Sequence, residues 1–335
     1  MDTGTAVQTK AETQPQKHQT SKSILTKIGN KDWLLLLLIQ IFAFALQFIL
    51  GVLIGIFYAI QHKRPDVNLF KSIVANPAVI MIPTFIAELI AFAIARKMLN
   101  KKIGEHLQKP AVSAKFVFVG GVIALGASHV GSLVVSLFQM LLSPTGFHLN
   151  MPVLLSTSDP NLLILGIVNL CLFAPILEEI LFRGFISKSL LPYGSAFAIV
   201  SSAILFGIMH GNLVQAIPTI LLGLVLGYIR VQANSVIPTI LIHSVNNILA
   251  VISMLLPENN VTVAISVTIT FLLIAAAVVL LVINRKQLTF AKGRVETQMM
   301  STKQKAVVFY FRSVCFYVLL ALFIFHTIIL SAAKG

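Results

Sequence analysis

Charge is what this chain has least of, and acidic charge above all. Only 11% of its 335 residues are charged, and 11 Asp and Glu stand against 25 Lys and Arg. With 57% hydrophobic residues and a mean hydropathy of +0.92, the composition excludes a water-soluble globule and is that of an integral membrane protein. Cysteine is nearly as scarce. Cys171 and Cys315 both lie in apolar runs and read as small hydrophobes, which excludes a disulfide framework and a thiolate site. Also missing are an HExxH run, the short-period alternation of a membrane barrel, an internal repeat, and the apolar core and cleavage pattern of a secretory signal. The first 30 residues, rich in Thr, Gln and Lys, therefore read as a polar, mobile cytoplasmic tail.

What is present is a series of apolar segments. A bilayer core of roughly 30 Å takes about 20 apolar residues in a helix. Nine segments meet that requirement: 33–60, 77–95, 116–142, 161–187, 194–211, 213–230, 236–256, 262–283 and 306–332. The expected fold is an all-α, polytopic helical bundle, because lipid offers no partners for backbone N–H and C=O groups. Its organisation is a tail over 1–30, a core of eight transmembrane helices over 31–283, a basic cytoplasmic linker over 284–305, and a ninth transmembrane helix over 306–335. The net charge of +14 falls mainly between these segments, so it signals topology and no nucleic-acid partner is expected. Arg96, Lys97, Lys101, Lys102, Lys109 and Lys115 after the second span, and Arg285, Lys286, Lys292, Arg294, Lys303 and Lys305 after the eighth, mark cytoplasmic loops. The amino terminus is then expected inside the cell membrane, although Lys63, Arg64 and Lys71 fall on the predicted outer side.

Ionisable groups at membrane depth cost about 2.5 kcal/mol or more, so each one marks a functional candidate. Of the acidic residues, Glu88, Glu178 and Glu179 fall within predicted spans. In "CLFAPILEEILFRGF", Glu179 and Arg183 are four residues apart and share a helix face, so Arg183 can hold Glu179 ionised. Glu178 is turned by about 100° and is less neutralised, which suits a general base. The bland alternative has Arg183 snorkelling to the interface with both glutamates solvated. Two adjacent acids one turn deeper argue against it. Glu88 is expected to line the cavity, or to pair with a polar group such as His129.

The next span holds "FGIMH", with Phe206 and His210 four apart, and the seventh holds "HSVNN", with His243 and Asn247 four apart. Glu178 lies roughly 22 Å before the turn near Pro192 and Gly194, and His210 roughly 26 Å after it, so the two can meet at one depth. Either histidine alone reads as a satisfied interhelical group. Together with the carboxylates they admit two hydrolytic readings. A divalent metal such as zinc, held by His and carboxylate, can supply an attacking water. Without metal, Glu178 and His210 can activate water while His243 and Asn247 donate to the oxyanion. A proton- or ion-coupled transporter is the rival reading; the missing inverted repeat weighs against it.

Glu178, Glu179 and Arg183, then Phe206 and His210, then His243 and Asn247, resemble in order the EExxxR, FxxxH and HxxxN motifs of the CAAX-processing and bacteriocin-processing (CPBP, Abi) intramembrane proteases. The motif region runs over about 160–256. The resemblance implies an active site among central membrane helices and hydrolysis of a peptide bond in a membrane-associated, prenylated or bacteriocin-like substrate. It implies Glu178 as the water-activating carboxylate beside His210, Glu179 and Arg183 as support, and His243 and Asn247 as the oxyanion site. Members are described both as metalloproteases and as glutamate proteases, so the resemblance assigns no cofactor. A non-catalytic bacteriocin-immunity scaffold of the same fold is the alternative within the family.

Overall fold

The computed structural model describes residues 21–62, 77–98, 103–150, 155, 159–287 and 310–332. Every regular element among them is helical. They are α1 (Ser21–His62), α2 (Pro77–Met98), α3 (Ala114–Leu142), α4 (160–190), α5 (Ser195–Met209), α6 (Leu213–Ala233), α7 (Ile237–Leu255), α8 (Asn260–Asn284) and α9 (Val314–Ala332). These stand where the apolar segments predict them, and the chain is a multi-pass, all-helical membrane protein. Six helical stretches are long and apolar enough to cross a membrane, in α1, α3, α4, α6, α7 and α8. Helix α5 and the apolar part of α9 are shorter. Eight core spans and a ninth are therefore more than length and composition single out.

Two boundaries differ from the sequence reading. Ser21 to Asn30, assigned to the polar tail, are the opening turns of α1. Leu25 and Ile28 there pack into the core cluster around Trp33 and Tyr310, so a sparse apolar face suffices once a partner covers it. Residues 1–20, most of the linker (288–305), and Lys63, Arg64 and Lys71 lie outside the described residues. Asp32 is a further acid that the reading left outside the spans. It is buried in α1 and accepts the Tyr310 hydroxyl at 2.7 Å, while Trp33 Nε1 donates to the Tyr310 carbonyl at 3.1 Å. This knot ties the segment before α9 to α1.

Helix ends follow local chemistry. Asp159 caps α4 with Pro160 at its first turn, Asn212 accepts the Gln215 N–H at the start of α6, and Asn259 with Thr262 forms a capping box on α8. Helix α3 packs on α6 and α8, α5 on α6, and α1 on α2 and α9. Small residues let these backbones close, since packing and not water expulsion joins helices in lipid. A Cβ on Gly131 would stand 2.4 Å from Pro218 Cα, and one on Gly126 would stand 2.7 Å from the Leu273 carbonyl oxygen. Gly131→Leu is expected to lower unfolding stability by on the order of 1–3 kcal/mol. Thermal unfolding of the detergent-solubilised protein reads this. Gly104→Ala, which meets nothing within 4 Å, should leave the midpoint in place.

Candidate active site

Helix α4 widens to π winding in two segments, and these bracket the glutamates. It is α-helical over Pro160–Val168, π-helical over Asn169–Phe173, α-helical over Ala174–Glu179, and π-helical again over Ile180–Ile186. Proline accounts for the consequence of the first change. In the π register the Ala174 N–H reaches the Asn169 carbonyl, and the next bond in that series would run from residue 175 to the Leu170 carbonyl. Pro175 has no N–H to give. Asn247 of α7 donates its Nδ2–H to that Leu170 oxygen at 2.8 Å instead. A backbone defect in α4 thereby fixes α7 beside it.

Between the two π segments the charges are buried. Glu179 Oε1 and Arg183 NH1 are 2.9 Å apart, and neither side chain has measurable exposure. Arg183 lies over the Phe206 ring, 4.3 Å from its centroid, and a Cβ on Gly223 of α6 would be 3.0 Å from its NH2. The guanidinium thus lies between an aromatic face and a glycine gap. Its charge is met by a carboxylate and a ring quadrupole in place of water. Arg230 of α6, which the motif reading missed, is also buried and donates Nε–H to the Arg183 carbonyl at 3.1 Å. Its signal in the sequence is a lone arginine near the end of an apolar run.

His243 joins the two acids. Its Nδ1 is 3.1 Å from Glu179 Oε1, and its Nε2 is 3.7 Å from Glu178 Oε2. A carboxylate only accepts, so the first contact is an Nδ1–H donated to Glu179, which leaves the Nε2 edge toward Glu178. Phe206 packs edge-on against both histidines, with ring centroids 5.6 Å from His243 and 4.9 Å from His210. His210 closes α5, and its Nδ1 lies 2.8 Å from the Phe206 carbonyl. A carbonyl also only accepts, so Nδ1 carries the proton and Nε2 keeps a lone pair.

The imidazole that the structure sets against Glu178 is therefore His243, 3.7 Å away. His210 packs on the same Phe206 ring, and no hydrogen bond or ion pair joins it to Glu178 among the described residues. The hairpin arithmetic gave depth but not direction, and a helix end aims its last side chain by its turn. That turn is held from outside the motif region. Gln40 of α1 donates to the Met209 carbonyl, His326 Nδ1–H to the Gly211 carbonyl at 2.8 Å, and the Leu213 N–H to Thr327 Oγ1 at 3.2 Å. Gly211 takes φ +71°, where a side chain is strained. Gln40, His326 and Thr327 are visible in sequence only as isolated polar residues in apolar runs. Glu88 interacts electrostatically with Glu178. His129, its suggested partner, has Nδ1 on the Leu125 carbonyl of its own helix at 2.9 Å.

With this geometry in place, the comparison with known families is specific. Residues 160–249 match the family described as Type II CAAX prenyl endopeptidase Rce1-like. No curated protein and no solved structure matches the chain. The Rce1-like stretch runs from the first turn of α4 into α7 and holds Glu178, Glu179, Arg183, His210, His243 and Asn247; α1, α2, α3, α8 and α9 lie outside it. Among the described residues, no three His, Cys, Asp or Glu side chains are grouped to hold a metal ion.

Removing one member of the buried ion pair strands the other. Arg183→Leu is expected to cost about 3–5 kcal/mol of stability, because Glu179 remains buried without its counter-charge. A fall in the thermal midpoint and in the folded yield checks this, and an unchanged midpoint would show that water reaches the pair.

Proposed function

We propose that the chain is an intramembrane endopeptidase of CAAX type, acting on a peptide bond close to the membrane in an apolar or prenylated segment. The observation that carries this reading is His243 held between Glu179 and Glu178, with Arg183 buried in the same cluster. A non-catalytic scaffold has no need of an imidazole held between two buried carboxylates. The Rce1-like match of the same four helices supports the same reaction class.

The chemistry assigned to the residues is as follows. Glu178 takes a proton from water as the water oxygen attacks the peptide carbonyl carbon. The carbonyl oxygen becomes an oxyanion, stabilised by the second N–H of the Asn247 amide and, when both its nitrogens carry protons, by His243 Nε2–H. The C–N bond then breaks, and Glu178 returns the proton to the leaving amine. His210, with Nε2 as acceptor, orients the water. Glu179 and Arg183 act through His243, fixing the ring by its Nδ1–H. Carboxylate and imidazole suffice for these steps. The basic segment after α2 supports a cytoplasmic position for that end, and with it for the amino terminus.

The test is cleavage of fluorogenic peptides, prenylated and unprenylated, by protein reconstituted in lipid vesicles. Glu178→Gln and His210→Ala are each expected to lower the rate by about 10²–10⁴-fold while the protein stays folded. Equal rates in wild type and Glu178→Gln would remove Glu178 as the base. Absence of cleavage in all, with ion flux altered in the variants, would favour the transporter.

A further inference from the structure

Helix α2 lies outside the Rce1-like stretch, yet two ring contacts set it beside the glutamate segment. Phe85 meets Phe173 at 5.8 Å between centroids, and Phe92 stacks on Phe185 at 5.8 Å and 26°. Both contacts advance together along the chain, so α2 and α4 run parallel here. Glu88 falls about one turn past Phe85 and one before Phe92. Glu178 falls about one and a half turns past Phe173 and two before Phe185. The two acids occupy matching stations between the same pair of contacts, and Glu88 Oε2 is buried there with no hydrogen-bond partner among the described residues.

The charges around them do not balance. The buried positive charges there are Arg183, which Glu179 engages at 2.9 Å, and Arg230, whose Nε–H is on the Arg183 carbonyl. With Glu88 and Glu178 both ionised beside Glu179, three carboxylates would stand against two guanidiniums, one of them turned to a backbone carbonyl, and a low-dielectric site does not tolerate the excess. We propose that Glu88 is a third carboxylate of the site and shares one proton with Glu178, as a positioning residue that sets when Glu178 is free to accept a proton. Among the described residues, Glu179 and Arg183 of α4 and His243 of α7 face the pair, with Arg230 of α6 behind Arg183 and His210 of α5 on the Phe206 ring; α1, which packs on α2, has no titratable residue between 33 and 57. The proposal rests on the reading of Glu178 as the base.

Infrared spectroscopy of the full chain in lipid nanodiscs tests it, through the C=O band of protonated carboxyl groups followed against pH. In wild type one such band should persist until the pair loses its shared proton. Glu88→Gln and Glu178→Gln should each lower the midpoint for the carboxyl that remains by about one pH unit or more, because each removes a like charge from the other. If Glu88→Gln does not fold, Glu178→Gln reads the same coupling from the other side, since coupling is reciprocal. A remaining carboxyl that titrates at the wild-type midpoint overturns the proposal. The readout needs no substrate: shifted midpoints in a protein that cleaves nothing would keep the pair and sink the protease reading. Unshifted midpoints in an active protease would do the reverse.

Discussion

The buried contact between Glu179 and Arg183 is the constraint on which the rest of this structure depends. A carboxylate and a guanidinium without exposure can stay charged only if every face of both is occupied. Each occupant is a distinct piece of the fold: Phe206 from α5, Gly223 from α6 and His243 from α7. The ion pair thus dictates how four helices approach one another. It also aims His243, because the nitrogen used on Glu179 decides which edge of the ring meets Glu178.

The winding of α4 serves the same end. Its π segments place Glu178 and Glu179 on a short α-helical stretch, and Pro175 leaves the Leu170 carbonyl for Asn247. π-helical turns in membrane helices are tolerated where neighbours complete the backbone bonding, and here the neighbour is the helix that carries His243. One N–H of Asn247 locks α7 to α4, and the other is the one proposed to meet an oxyanion.

Much of this was legible in the sequence, for definite reasons. Helix positions follow from apolar run length, so the nine segments and the observed helices agree within a few residues at most ends. The four-residue spacings put Glu179 with Arg183 and Phe206 with His210, because they depend only on helical periodicity. Contacts between helices were less legible. That His243 bridges the glutamates, while His210 turns to the Phe206 carbonyl, depends on the α5 to α6 turn, which Gln40, His326 and Thr327 hold from distant parts of the chain. Nothing in a local pattern links residues 40 and 326 to residue 210. The first turns of α1 escaped for a similar reason, since Leu25 becomes core only when Tyr310 is folded against it.

Glu179 and Arg183 can be separated from stability by replacing both. A buried ion pair exchanged for apolar residues of similar volume often leaves a fold as stable as before, whereas loss of one partner does not. The measurement is peptide cleavage by the reconstituted double variant Glu179→Met with Arg183→Leu, beside its thermal midpoint. If the pair exists to aim His243 at Glu178, the midpoint stays near that of wild type and cleavage falls by about 10²-fold or more. Full cleavage by a folded double variant would contradict that account.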